Sequence, residues 1–141
     1  MKKMVFRVIM SLLVLQTYNA YAEDAMFDKM ESSGMFDKIR ISFVASCYTR
    51  GAVPPTQKIE LAKIKAQYPD RVKGCSCLEE ELTKVPNKTI FDDTRQSYQL
   101  YQEKLKAMKD NNQAELKALM KKSESFKPFM SLIVEKCGLQ K

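Results

Sequence analysis

Two of the four cysteines in this chain are separated by a single residue, in Gly74-Cys75-Ser76-Cys77, and the other two, Cys47 and Cys137, lie far to either side. Four cysteines allow three pairings. Joining Cys75 to Cys77 would force a strained ring far from relaxed disulfide geometry, so the close pair must be tied to two distant segments. The remaining arrangements are Cys47–Cys75 with Cys77–Cys137, and Cys47–Cys77 with Cys75–Cys137. Both close loops of roughly 30 and 60 residues, for about 3.6 and about 4.3 kcal/mol in chain-entropy terms. Entropy does not choose between them. The expected orientation of Cys75, back towards the segments that precede it, favours the first.

A disulfide framework belongs to an oxidising compartment, and the start of the chain fits export. Lys2, Lys3 and Arg7 form a basic opening, an apolar run follows to Leu15, and Ala20-Tyr21-Ala22 has the small-x-small form read by a signal peptidase. The apolar run is about twelve residues, short of the roughly 20 needed to span a bilayer. Cleavage is therefore expected after Ala22, and no stable membrane insertion is expected afterwards. The expected layout is a signal peptide at 1–22, a mobile N-terminal helical segment at 23–35, and a stapled domain at 36–141. Periplasmic or secreted localisation follows, and the Met-Lys-Lys start has a bacterial look.

The net charge of +7 falls to +4 once Lys2, Lys3 and Arg7 leave with the signal. A domain of +4 with mixed signs lacks the concentrated basic face of a nucleic-acid binder, so no nucleic-acid partner is expected. The chain has no histidine, which removes Ser-His-Asp and Cys-His catalysis and the commonest metal ligand.

Periodicity is helical throughout. Phe36, Ile39, Phe43 and Cys47 mark the buried face of a helix over 36–50, with Val44 and Tyr48 at its edges, Gly51 as a left-handed cap, and Pro54-Pro55 beyond. Thr56 is expected to cap a helix to Tyr68. Ser76-Cys77-Leu78-Glu79 has the form of a capping box, which would put Cys75 just outside a helix and Cys77 at its first position. Residues 89–109 form the longest periodic stretch, with Phe91, Tyr98, Tyr101, Leu105 and Met108 expected to face the core. Asn112-Gln113-Ala114-Glu115 resembles a second capping box, and a last helix is expected to bring Cys137 inward and stop at Gly138. The fold class is all-α: a bundle of five to six short helices cross-linked by two disulfides.

The alternatives for each motif are weaker. Thiol–disulfide exchange at Cys75/Cys77 would want a depressed thiol pKa, which a helix start favours and Glu79-Glu80-Glu81 opposes. A four-cysteine zinc site wants two close pairs with longer spacers. The three glutamates suit a solvated helix turn better than a pair of catalytic carboxylates. Met26, Met30 and Met35 with Phe27 could bind Cu(I) or a hydrophobic partner; contact with a partner is the better account, and no cofactor is expected. Sequence thus leads to a non-enzymatic protein acting by protein–protein binding, most concretely an inhibitor or immunity-type protein against a toxin or envelope hydrolase. A periplasmic chaperone binding unfolded clients is the first alternative, and a thiol–disulfide redox protein the second. Neither the partner nor the oligomeric state is readable.

Overall fold

Helix α1 covers residues 22–32 and ends at Gly34, whose φ of 68° is one that residues with a Cβ rarely adopt. The computed structural model describes residues 22–139, so the expected signal segment up to Tyr21 lies outside the described residues. Six further α-helices follow: α2 (Met35–Thr49), α3 (Leu61–Gln67), α4 (Val72–Thr83), α5 (Asn87–Lys109), α6 (Gln113–Ser125) and α7 (Phe129–Lys136). A 3₁₀ turn, Pro69–Arg71, leads into α4. There is no strand among the described residues. The chain divides into two compact units between Met35 and Phe36. The second unit carries six helices and both disulfides.

The centre of this unit is α4. It starts four residues before Ser76, so the Ser76–Glu79 capping box does not form. Ser76 Oγ donates instead to Lys73 O of its own helix at 3.0 Å, and Glu79 accepts from Lys65 Nζ of α3 at 2.6 Å. Pro69 and the 3₁₀ turn start the helix earlier, because proline at a first position gives up an N–H that would have no helical partner. Both Cys75 and Cys77 therefore lie within α4. Two residues apart on a helix, they project about 200° apart around its axis. One disulfide, Cys47–Cys75, runs to α2, and the other, Cys77–Cys137, runs to the end of α7. Both have Cα–Cα separations of 5.8 Å, within the relaxed range.

Around this clasp α2 is covered on several sides. Val44 and Tyr48, read from sequence as edge positions, are among its most buried residues with Phe36 and Ala45, whereas Ile39, Phe43 and Cys47 are half-buried. Cys75, Leu78 and Leu82 of α4, Ile90 and Phe91 of α5, and Phe129 and Ile133 of α7 are the other buried apolar residues of this unit apart from Leu100, Ala107 and Leu119 of the α5–α6 pair, each large side chain worth about 1.5–3 kcal/mol. Phe43 meets Phe129 edge-on at 6.0 Å between ring centroids, bringing α2 to α7. The left-handed position after α2 falls on Arg50 (φ 55°), not on Gly51. Beyond it the chain folds back on the helix: Ser42 Oγ donates to Val53 O, and Val53 N donates to Ser46 Oγ at 3.0 Å. Pro54 O then accepts from Gln57 N in a turn. That turn occupies the residues expected to begin the next helix, so α3 starts at Leu61 and Thr56 caps nothing.

Side chains from one helix finish the ends of another. Arg40 of α2 donates from Nε to Leu82 O at 3.1 Å, and from one terminal nitrogen to Val85 O and Asn87 Oδ1, each at 2.7 Å. It thus satisfies carbonyls at the end of α4 and holds the start of α5. Asp93 of α5 accepts from Phe129 N at 2.6 Å, capping α7 from outside its own segment. At the far end of α7, Gly138 (φ 63°) and Leu139 donate to Glu135 O and Val134 O in a Schellman closure. Leu139 then lies so close to α4 that a Cβ at Gly74 would stand 2.8 Å from it. A larger residue at Gly74 would require that leucine side chain to shift.

Two outcomes test this packing. Arg40→Met should lower stability by about 2–4 kcal/mol, because the three acceptors at the α4–α5 junction, and Asp37 of its own helix, lose a charged donor, read as a shift in urea midpoint. Tyr48 is fully buried and its hydroxyl has no hydrogen-bond partner among the described residues. Tyr48→Phe should therefore leave stability unchanged or raise it by about 1 kcal/mol.

Candidate functional site

The sequence motifs with chemical potential are absorbed by structure. Cys47, Cys75, Cys77 and Cys137 are all in disulfides and no cysteine is free. Cys75 and Cys77 are not joined to each other, so the pair is not a dithiol that closes on itself. Closed disulfides of this kind belong to an oxidising, non-cytoplasmic setting.

The acidic run splits three ways. Glu79 pairs with Lys65 of α3, Glu80 with Lys84 at 2.9 Å, and Glu81 with both Lys84 at 2.8 Å and Lys136 of α7 at 2.6 Å. Glu80 and Glu81 share Lys84, while Glu79 turns away to α3, so each of the three carboxyls is taken up by a lysine. Hydrogen bonds from Lys136, then from Lys84, hold the Glu81 carboxyl below the usual glutamate range, and Glu81 in turn raises Lys84.

A cleft of about 870 Å³ opens between α2, the 3₁₀ turn, α4 and α7. Phe43, Leu78, Met130, Val134 and Leu139 line it with the Cys47–Cys75 disulfide, and Arg50, Asp70 and Arg71 supply its charge. Arg71 is engaged: it donates to Tyr48 O, and its guanidinium lies 4.9 Å from the ring centroid of Tyr68. Asp70 is the one carboxylate of the lining, beside Arg50 and Arg71.

Met26, Phe27, Met30 and Met35, the candidate partner-binding residues of the sequence, all fall in the first unit. Met26 is exposed and the other three are half-buried.

The feature that sequence reasoning misplaced is on α5. Ile90 and Phe91 in its first turns are buried, at 0% and 3% exposure. Tyr98, Tyr101, Leu105 and Met108 continue that side of the helix, yet they are 63%, 58%, 38% and 50% exposed. The second half of α5 buries the other side. Leu100 and Ala107 pack with Leu119 of α6, joined by Leu116 and Phe126, in a small core of their own. At 100° per residue, the Tyr98–Met108 stripe is centred roughly 130° from that seam. The three-and-four spacing correctly indicates an apolar helix face; burial of its second half was the error. A tight turn folds α6 onto the opposite face: Asn111 is left-handed (φ 51°), Asn112 N donates to Ala107 O, and Asn112 Oδ1 accepts from Glu115 N.

No protein-family model matches the chain, and no curated protein or solved structure is significantly similar to it. No helix among the described residues is long and apolar enough to cross a membrane.

The Glu81 pairs generate a pH prediction. A carboxyl with a lowered folded pKa stabilises the fold above its unfolded pKa, and that contribution is lost as pH falls through the folded value. The stability gap between the parent and Glu81→Gln should be largest near neutral pH and should close on acidification below the ordinary glutamate range. Urea midpoints across that range measure it; a gap that widens with acid contradicts the assignment. Added salt should shrink the gap, because surface pairs are screened.

Proposed function

We propose that this is an exported, periplasmic, non-enzymatic protein that acts by binding another protein, most concretely as an inhibitor or immunity-type protein against a toxin or envelope hydrolase. The observation that carries this reading is the exposed Tyr98–Tyr101–Leu105–Met108 stripe on α5. Four large apolar side chains in one ordered row are an unusual exposure for a small domain, and contiguous patches of this kind mark interaction surfaces. Tyrosine is also enriched where binding energy is concentrated. The row is carried on a helix whose first turns are rooted in a doubly cross-linked core, so little ordering entropy is lost on docking. Met26, Phe27, Met30 and Met35 are proposed as an accessory contact.

The chaperone reading calls for an adaptable surface for many clients, whereas a single row on one braced helix suits one partner. The test is chemical cross-linking and affinity capture by the mature protein from envelope extract of its source organism, followed by reconstitution. The expected result is one protein bound at a fixed stoichiometry, with its activity blocked. Substoichiometric suppression of aggregation of unrelated proteins would overturn this in favour of a chaperone. Turnover abolished by a single side-chain change would overturn it in favour of an enzyme.

A further inference from the structure

The α5 stripe has a definite chemistry. Tyr98, Tyr101, Leu105 and Met108 step by three, four and three residues, the a-d-a-d spacing with which one helix receives another along a seam. In that register Tyr98 and Leu105 are a positions and Tyr101 and Met108 are d positions. The flanking positions are Ser97, Gln102, Lys104 and Lys109, with Arg95 one turn earlier. No acid stands among them. The nearby Glu103 lies away from the seam, and its carboxylate is 3.6 Å from Lys122 of α6. Lys104 and Lys109 make no ion pair among the described residues.

From this charge pattern we infer that the α5 face docks one amphipathic helix of a partner protein, with apolar residues along its seam and glutamate or aspartate on its flanks. The inference rests on the binding-protein reading and names the partner's chemistry. A second copy of this chain is disfavoured by the same flanks. Parallel pairing sets Lys104 of one copy against Lys109 of the other, and antiparallel pairing again brings together edges that carry no acid. Like charges at these positions are what excludes a wrong partner. An acidic flank meets the lysines, while its apolar seam covers the tyrosines, Leu105 and Met108. The docked helix would then extend the packing begun by Ile90 and Phe91, since the stripe continues the side of α5 that those two residues bury.

The stripe covers about three helical turns, so a helix seated on it makes a small interface whose affinity depends strongly on its charged flanks. The probe is a three-heptad peptide with leucine at a and d and glutamate at e and g; its own glutamates oppose self-pairing. A control peptide carries lysine at e and g. Fluorescence anisotropy with the mature, oxidised protein should show the glutamate peptide binding at least roughly tenfold more tightly, with the difference shrinking as salt rises from about 50 mM to about 500 mM.

Leu105→Glu and Tyr98→Glu, both at exposed positions, should each weaken glutamate-peptide binding by roughly tenfold or more with circular dichroism unchanged. Leu132→Glu, at an exposed apolar site on α7, should leave binding unchanged. Equal binding of the two peptides overturns the inference. So does concentration-dependent dimerisation abolished by Leu105→Glu, or binding to phosphatidylglycerol vesicles lost in the same variant, which would make the face a self-association or membrane surface. The peptide assay does not need the natural partner. If one stoichiometric partner is captured but binds Leu105→Glu as tightly as the parent, the inference fails and the binding-protein reading survives.

Discussion

The structure depends on one geometric fact: two cysteines at i and i+2 on a helix face nearly opposite ways. Cys75 and Cys77 give α4 a covalent link on each side, one to α2 and one to the end of α7. Both linked segments are remote in sequence, so closing the loops removes substantial unfolded-state entropy. It also makes α4 the element to which α2 and α7 are both tied. Leu139, which follows the left-handed Gly138, sets its Cδ2 so near Gly74 that a Cβ there would require the leucine side chain to shift.

The two cross-links join α4 to α2 and to the end of α7, and α5 carries neither. The first turns of α5 are held by Arg40 at Asn87, by burial of Ile90 and Phe91, and by the Asp93 cap on α7. Beyond them α6 returns along one side only, and the two helices share a core built around Leu100, Ala107 and Leu119. The opposite side, with Tyr98, Tyr101, Leu105 and Met108, stays in solvent. The proposed recognition rests on this braced root with its exposed, one-sided apolar continuation, and on the lysines beside it.

Much of the architecture is legible in residues whose effect is local. The helical periods, Gly34 and Gly138 as stops, and the Asn112–Glu115 start of α6 act within one turn of the chain, so sequence spacing exposes them. The Ser76–Glu79 box illustrates the limit. Its residues are right for a helix start, but Pro69 and the 3₁₀ turn had already begun the helix, and Lys65 offered Glu79 a different partner. Arg50 in place of Gly51 is similar: the helix ends where the Ser42–Val53–Ser46 contacts turn the chain. Arg40 and Asp93 gave no sequence signal at all, because each completes a helix end far from it in the chain.

By itself the sequence determined an all-helical chain with distant segments tied to Cys75 and Cys77, and it determined that residues 98–108 present an apolar row. These follow from residue type and spacing, which set helix faces and the reach of a disulfide. Only the tertiary structure decided which way that row looks. Periodicity identifies an apolar face but not its covering, and here α6 packs on the other side of α5. The same tertiary choice turned the expected core stripe into the surface from which function is now argued.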